Sequence, residues 1–302
     1  MTEQPIRPPW LQRRLQHPGP RSSQRLVVHA TSAVHLREKM RVGSRLNDEL
    51  IRLTTSLGTD SASVVLTGGV LTPLHYCFPA EGDGHRAAWF SDEHISSHAH
   101  ITAGSATVGL RDGEPFVHAH LSWNDEKGKV RGGHIWPQTV VGSPAPEVLL
   151  FGFANTQWES HLDEETTLPT FSPSALVEGP GGPAWQNRAE FAVARILPDE
   201  DITDAVFRTA REAGFAQAKV CAALGSLIGG VLLDDETGRL SFVEGPATEV
   251  ISVTGTIDTA SGSENAALYC SLVDRHGTVH KGLLVPGENP VAVTFELTLA
   301  AL

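Results

Sequence analysis

The chain has 302 residues, 40% of them hydrophobic and 19% charged, with a formal net charge of −12. That composition suits a globular protein with a real core and excludes a disordered or collagen-like chain. No apolar run approaches the roughly 18–20 residues that span a bilayer, and the acidity argues against a nucleic-acid partner, because neutralising phosphates takes lysine and arginine.

Residues 1–24 are expected to form an N-terminal arm. Up to Arg25 this stretch holds five arginines against one glutamate, a net of +4. It has no apolar segment of the kind found in a secretory signal. Three cysteines, Cys77, Cys221 and Cys270, lie in apolar strand-like runs. An odd, sparse set of this kind fits buried packing residues in a reducing cytoplasm better than a disulfide framework. Membrane association is not expected.

A first unit is expected over residues 25–153. It opens with a strand at RLVVHA, 25–30. A helix follows, with Ser44 as candidate N-cap, Leu46, Leu50, Ile51 and Leu57 at helical spacing, and Gly58 suited to end it. Later come two strand-like stretches, 116–123 and 129–136, joined by a turn at 124–128 with Gly128 fit for positive φ. Residues 154–189 lack a sustained period, contain GPGGP, and read as a linker with at most one short structured stretch. A second unit is expected over 190–302. It opens with EFAVARIL, followed by a helix capped by Asp201, with Ile202, Val206, Phe207 and Ala210 on one face and Gly214 at its end. Matching glycines and a shared helix-then-strands pattern make the halves diverged copies. The fold class expected is α+β: two repeated domains, each a mostly antiparallel sheet packed with one main helix.

Eleven of the 14 histidines precede residue 150, so the two copies are chemically unequal. His118 and His120 stand two apart on a strand and share a face. A hairpin centred on Lys127 sets His134 opposite His120, where Cβ atoms lie about 4.5–5.5 Å apart. Gly132 and Gly133 leave room for a ligand or a close backbone approach. Three converging imidazoles with an open fourth position suit zinc or another divalent transition metal. A solvated polar face is the alternative, and three histidines in this geometry weigh against it. The corresponding second-copy positions are Ala267, Tyr269 and Leu283.

Three further residues are candidates for catalysis. Glu147, in PEVLLFGF, would be a general base or a support for the metal, although its counterpart Glu296 lies in the copy without the histidines and favours a structural role. His98 and His100 would line the cavity or bind substrate; the alternative is an exposed polar strand face. Arg111 and Arg131 are near in sequence and could hold a carboxylate, but Arg131 is expected on the opposite face from His120 and His134.

VHAHLSWNDEKGKVRGGHIW followed by PEVLL, with LPDEDITDAV and AALGSLIGGVLL in the second half, resembles the PPC domain conserved between plants and prokaryotes. The resemblance covers most of 25–153 and 190–302, and the HxH and GGH pair is its specific part. It implies an α+β fold and, for single-domain members, trimeric assembly, so a homo-oligomer is expected. Some members act with DNA, but this chain has no Arg-Gly-Arg-Pro hook. The family is also similar in fold to acetolactate decarboxylase and zinc-dependent ester hydrolases, whose zinc sits on an HxH pair and a later histidine. That pattern implies His118, His120 and His134 as ligands. The resulting expectation is a zinc-dependent lyase or hydrolase acting on a small carboxylate or ester. The alternatives are a DNA-associated regulator and a non-catalytic ligand-binding trimer.

Overall fold

The computed structural model describes residues 8–9, 14–83, 85–176 and 189–302. Most of residues 1–13 and the GPGGP segment therefore lie outside the described residues. The architecture is α+β, with two large sheets and one main helix on each. The first sheet runs Ala33–Lys39, Glu147–Phe153, Ala62–Thr67, Ala99–Arg111, Glu114–Asn124, Val130–Ile135, Leu74–Cys77 and His94–Ser96. The second runs Phe191–Ile196, Val291–Ala301, Gln217–Leu227, Thr248–Thr254, Tyr269–Val273, Val279–Leu284, Gly230–Leu233 and Leu240–Val243, with Leu26–Thr31 added outside Phe191–Ile196. Strand for strand, the two orders correspond.

That added strand corrects one expectation. Residues 25–30 do not open the first unit's sheet. Leu26–Thr31 pairs antiparallel with Phe191–Ile196 in the second sheet, and after Ser32 the chain enters the first sheet as Ala33–Lys39. Both segments have strand character, and pattern alone does not say which sheet each joins.

Helix α1, Leu46–Ser56, buries Leu46, Leu50 and Leu53 against Val64, Leu66, Val108 and Leu121 of its sheet. Its N-cap is Arg45, one residue after the expected Ser44, and has no side-chain cap hydrogen bond. The Leu46 N–H instead donates to the Thr139 carbonyl at 2.9 Å. Helix α2, Ile202–Glu212, is capped as expected: Asp201 accepts from the Thr203 and Asp204 N–H groups at 2.9 and 3.2 Å. Gly58 and Gly214 follow the two helices at φ 78° and 75°, where a Cβ would be strained. No helix among the described residues is long and apolar enough to cross a membrane.

The expected linker is also corrected. Thr156–Leu162 and Pro169–Ala175 form a fully paired antiparallel hairpin, and Glu159 and Ser160 run parallel to Leu110 and Arg111. Its inward positions are Thr156, Trp158 and Ser160, so polar residues mask the alternation that marks a strand. Asp163 in its turn holds Arg195 at 2.6 Å and Glu165 holds Arg25 at 2.6 Å, which ties the hairpin to the second domain and to the N-terminal segment.

The helices occupy one face of each sheet, and the opposite faces meet each other. Along Glu114–Asn124, Ala119, Leu121 and Trp123 point into the α1 core, while His118, His120 and Ser122 lie on the other side. Ser63 Oγ and Thr298 Oγ1 hydrogen-bond across this junction at 2.7 Å. Gly132 allows a close approach: a Cβ there would stand 2.9 Å from Ile251 Cδ1 and 3.0 Å from Val279 Cγ2.

Candidate metal centre

A tight turn sets the register of the histidine hairpin. Asp125 Oδ1 accepts from the Lys127 and Lys129 N–H groups at 2.9 and 2.8 Å, and Gly128 takes φ 73°. His120 then lies directly opposite His134. His118 is two residues along the same face. One donor atom from each of the three histidines lies within 4.8 Å of the others. His118 Nε2 is 3.1 Å from His120 Nε2, which is 3.3 Å from His134 Nδ1.

The outer nitrogens are committed elsewhere, and both partners come from the second domain. His120 Nδ1 lies 2.9 Å from the Val250 carbonyl oxygen, which can only accept, so Nδ1 carries the proton. Burial first, then the neighbouring imidazoles, push His120 well below its ordinary value and keep it neutral. Its Nε2 therefore presents a lone pair. His118 Nδ1 is 2.8 Å from Glu296 Oε1, a contact that turns His118 Nε2 toward His120. His118 Nε2 and His120 Nε2 thus face each other at 3.1 Å, a spacing that a shared proton or a shared cation bridges. The residues fit a divalent metal by the chemistry of their donors: three converging imidazoles, two of them oriented by carboxyl and carbonyl partners.

His134 is pushed well down by burial, by His118 and by the positive charge of Arg111. Phe90 and Trp136 pack around it, with ring centroids 5.0 and 5.3 Å away. Glu249 Oε1 is 3.7 Å from His120 Nε2. Burial raises the Glu249 carboxyl well above the carboxylate range. Glu249 Oε2 and Glu296 Oε2 are buried without a hydrogen-bond partner among the described residues. Unsatisfied buried acid oxygens are costly and call for a ligand or proton.

Beside the triad lies a cavity of about 290 Å³, formed by both domains and the Thr156–Ala175 hairpin. Trp89, Phe90, Phe116, Trp136 and Phe171 line it on the aromatic side. Arg111 enters it from the end of Ala99–Arg111; its Nε donates to Ser160 Oγ at 3.0 Å and its guanidinium lies 3.4 Å from the Phe116 ring centre.

The structure does not bring the other candidates here. Glu147 is half-exposed and paired with Arg37 at 2.8 Å. His98 and His100 stack on each other at 4.7 Å and are exposed, with His100 opposite Asn124, four residues along the strand from His120. Their catalytic assignment is therefore withdrawn: none touches the triad or lines its cavity. Arg131 turns to Asp125 and the His276 carbonyl, away from the site. The residues that do support the triad, Glu249 and Glu296, lie in the other copy. An acid inside an apolar run such as VAVTFELTLA was the available signal, since a buried carboxyl needs a partner.

Residues 36–154 and 186–302 each match the Plants and Prokaryotes Conserved (PCC) domain. The chain belongs to the PCC domain family, in tandem form. Among solved structures, the metal-containing protein from Archaeoglobus fulgidus is similar at 19% identity, over 48% of this chain and 97% of that one, with a TM-score of 0.41. A PPC protein of Pyrococcus horikoshii is similar at 20% identity, over 48% and 96%, with a TM-score of 0.40. A Ralstonia eutropha JMP134 protein provisionally named DNA-binding is similar at 17% identity, over 46% and 89%, with a TM-score of 0.38. Comparison with curated proteins gives no match.

Proposed function

We propose that this tandem PCC protein is a metal-dependent enzyme, with zinc on His118, His120 and His134, acting on a small carboxylate or ester as a lyase or hydrolase. The observation that carries the reading is the convergence of three imidazole nitrogens within 4.8 Å of one another, with the His118 and His120 rings each held by a hydrogen bond on the far side. A divalent cation bound there supplies Lewis-acid polarisation of a substrate oxygen. Glu296 and the Val250 carbonyl hold the rings in the donor orientation. Glu249, which lines the cavity and whose Oε2 has no hydrogen-bond partner among the described residues, would give or take a proton. The aromatic walls exclude water and position an apolar body. The family's likeness in fold to acetolactate decarboxylase and zinc ester hydrolases supports the same reaction classes. The net charge of −12 gives a DNA-associated role no electrostatic footing.

The test is metal content by elemental mass spectrometry on the native protein and on a His118→Ala/His120→Ala/His134→Ala variant. The expected result is about one metal ion per chain, absent from a variant with native circular dichroism. Absence of metal from the native protein even after reconstitution with zinc would end this reading.

A further inference from the structure

Arg111 is an exception among the arginines of this protein. The other described arginines that are buried or half-buried, Arg25, Arg52 and Arg195 among them, each face a carboxylate. Arg111 is half-buried and makes no ion pair among the described residues; its one hydrogen bond runs from Nε to Ser160 Oγ at 3.0 Å. The guanidinium carbon lies over the Phe116 ring, 3.4 Å from its centre. Ser160 fixes one edge, and both terminal nitrogens are left without hydrogen-bond partners among the described residues. They lie in the wall of the cavity that holds the triad. A planar fork of this kind, oriented and only partly hydrated, matches a carboxylate in bidentate geometry.

The rest of the cavity narrows the ligand. One cation in a small, mainly aromatic space suits a monoanion better than a phosphate dianion. Trp89, Phe90 and Trp136 offer ring faces and edges against which a flat ring stacks. Arg111 is the one arginine or lysine among the described residues that line the cavity, and its place away from the triad sets direction. We infer that Arg111 and Ser160 form an anion subsite, and that the cavity takes a small aryl carboxylate with its carboxylate on Arg111 and its other end toward the histidines. The chemistry at that other end rests on the metal reading above; the anion subsite itself does not.

The test is a titration followed by tryptophan fluorescence, which Trp89 and Trp136 should report, using phenylacetate and its neutral analogue phenylacetamide. Native protein is expected to bind the carboxylate at least about tenfold more tightly, as a charge-assisted bidentate contact implies. Arg111→Met should abolish the preference and leave amide affinity within about twofold. Arg111→Lys should reduce the preference at least about threefold, since an ammonium lacks the fork; it is the variant read if Arg111→Met loses its native circular dichroism. The triple histidine variant should keep the preference. Equal affinity for acid and amide in native protein, no binding of either, or a preference unchanged in the arginine variants would each overturn the subsite. A preference that survives Arg111→Met and vanishes with the histidines would place the carboxylate on the metal, sinking this inference and sparing the metal reading. A preference retained in native protein that binds no metal would do the reverse.

Discussion

The two copies differ most where they are most alike in register. His120 opposes His134 in the first, and Tyr269 opposes Leu283 in the second. Conversely, Glu249 opposes Val273 where His100 opposes Asn124, and Glu296 takes the strand position of Glu147. In the first copy the hairpin face is inside and carries the ligands, whereas His100 and Glu147 face water. In the second copy the acids are inside, and Tyr269 is 40% exposed. A duplicated domain has divided one task between non-equivalent faces: one copy supplies the donors and the other orients them.

This division can be broken at equivalent positions. The largest effect is expected at the acids. Glu296→Gln should weaken metal affinity about 10–100-fold, the usual cost of losing a carboxylate that orients a ligating histidine. Glu147→Gln, at the same position in the first copy, should leave metal affinity unchanged and stability within about 0.5 kcal/mol, because its ion pair with Arg37 is solvent-screened. Competition against a chelator of known affinity measures both; equal losses would refute the division.

Next in size is the glycine that precedes each paired position. A Cβ on Gly133 would lie 2.5 Å from the Cys77 carbonyl oxygen, and one on Gly282 would lie 2.8 Å from that of Leu233. Both obstacles are backbone, so Gly133→Ala and Gly282→Ala should each cost about 1–3 kcal/mol in urea unfolding. Gly133→Ala should be the worse of the two and should also reduce metal loading. The smallest effect separates the helices. Asp201→Ala removes a cap and should cost about 1 kcal/mol or slightly more, since Asp201 also accepts from the Asn289 N–H at 2.8 Å. Arg45→Ala removes no cap and should stay within about 0.5 kcal/mol.

What could be read from sequence follows the range of the interactions. The HxH spacing, Asp125 and Gly128 lie within one hairpin, and local periodicity and turn chemistry place the three imidazoles together. The same holds for α2, whose Asp201 cap is a contact over two and three residues. What escaped is set at long range. Glu296 meets His118 across 178 residues of sequence, and no local pattern says that its face is covered. The sequence pattern marked Glu147 and Glu296 as counterparts, but which of the two is enclosed depends on how the domains pack. The Thr156–Ala175 hairpin was hidden because its inward residues include Thr156 and Ser160, and prolines punctuate its second strand. Ser44 gave way to Arg45 because tertiary contacts with Thr139 satisfy the helix terminus and leave the cap little to do.

The strand Leu26–Thr31 has a consequence for how the protein is made. Its partner Ile196 lies about 170 residues further along the chain than Leu26. At about 5–20 residues per second, synthesis delivers that partner on the order of 10–30 s after the strand itself emerges. Once Glu147–Phe153 has emerged, the neighbouring Ala33–Lys39 can join its sheet, while Leu26–Thr31, just upstream, still has no partner. A nascent chain in this state exposes an unpaired β-segment on the ribosome, a substrate for chaperones and a template for swapping between polysomal neighbours. Formation of the second domain's sheet ends that exposure and ties Leu26–Thr31 to Phe191–Ile196.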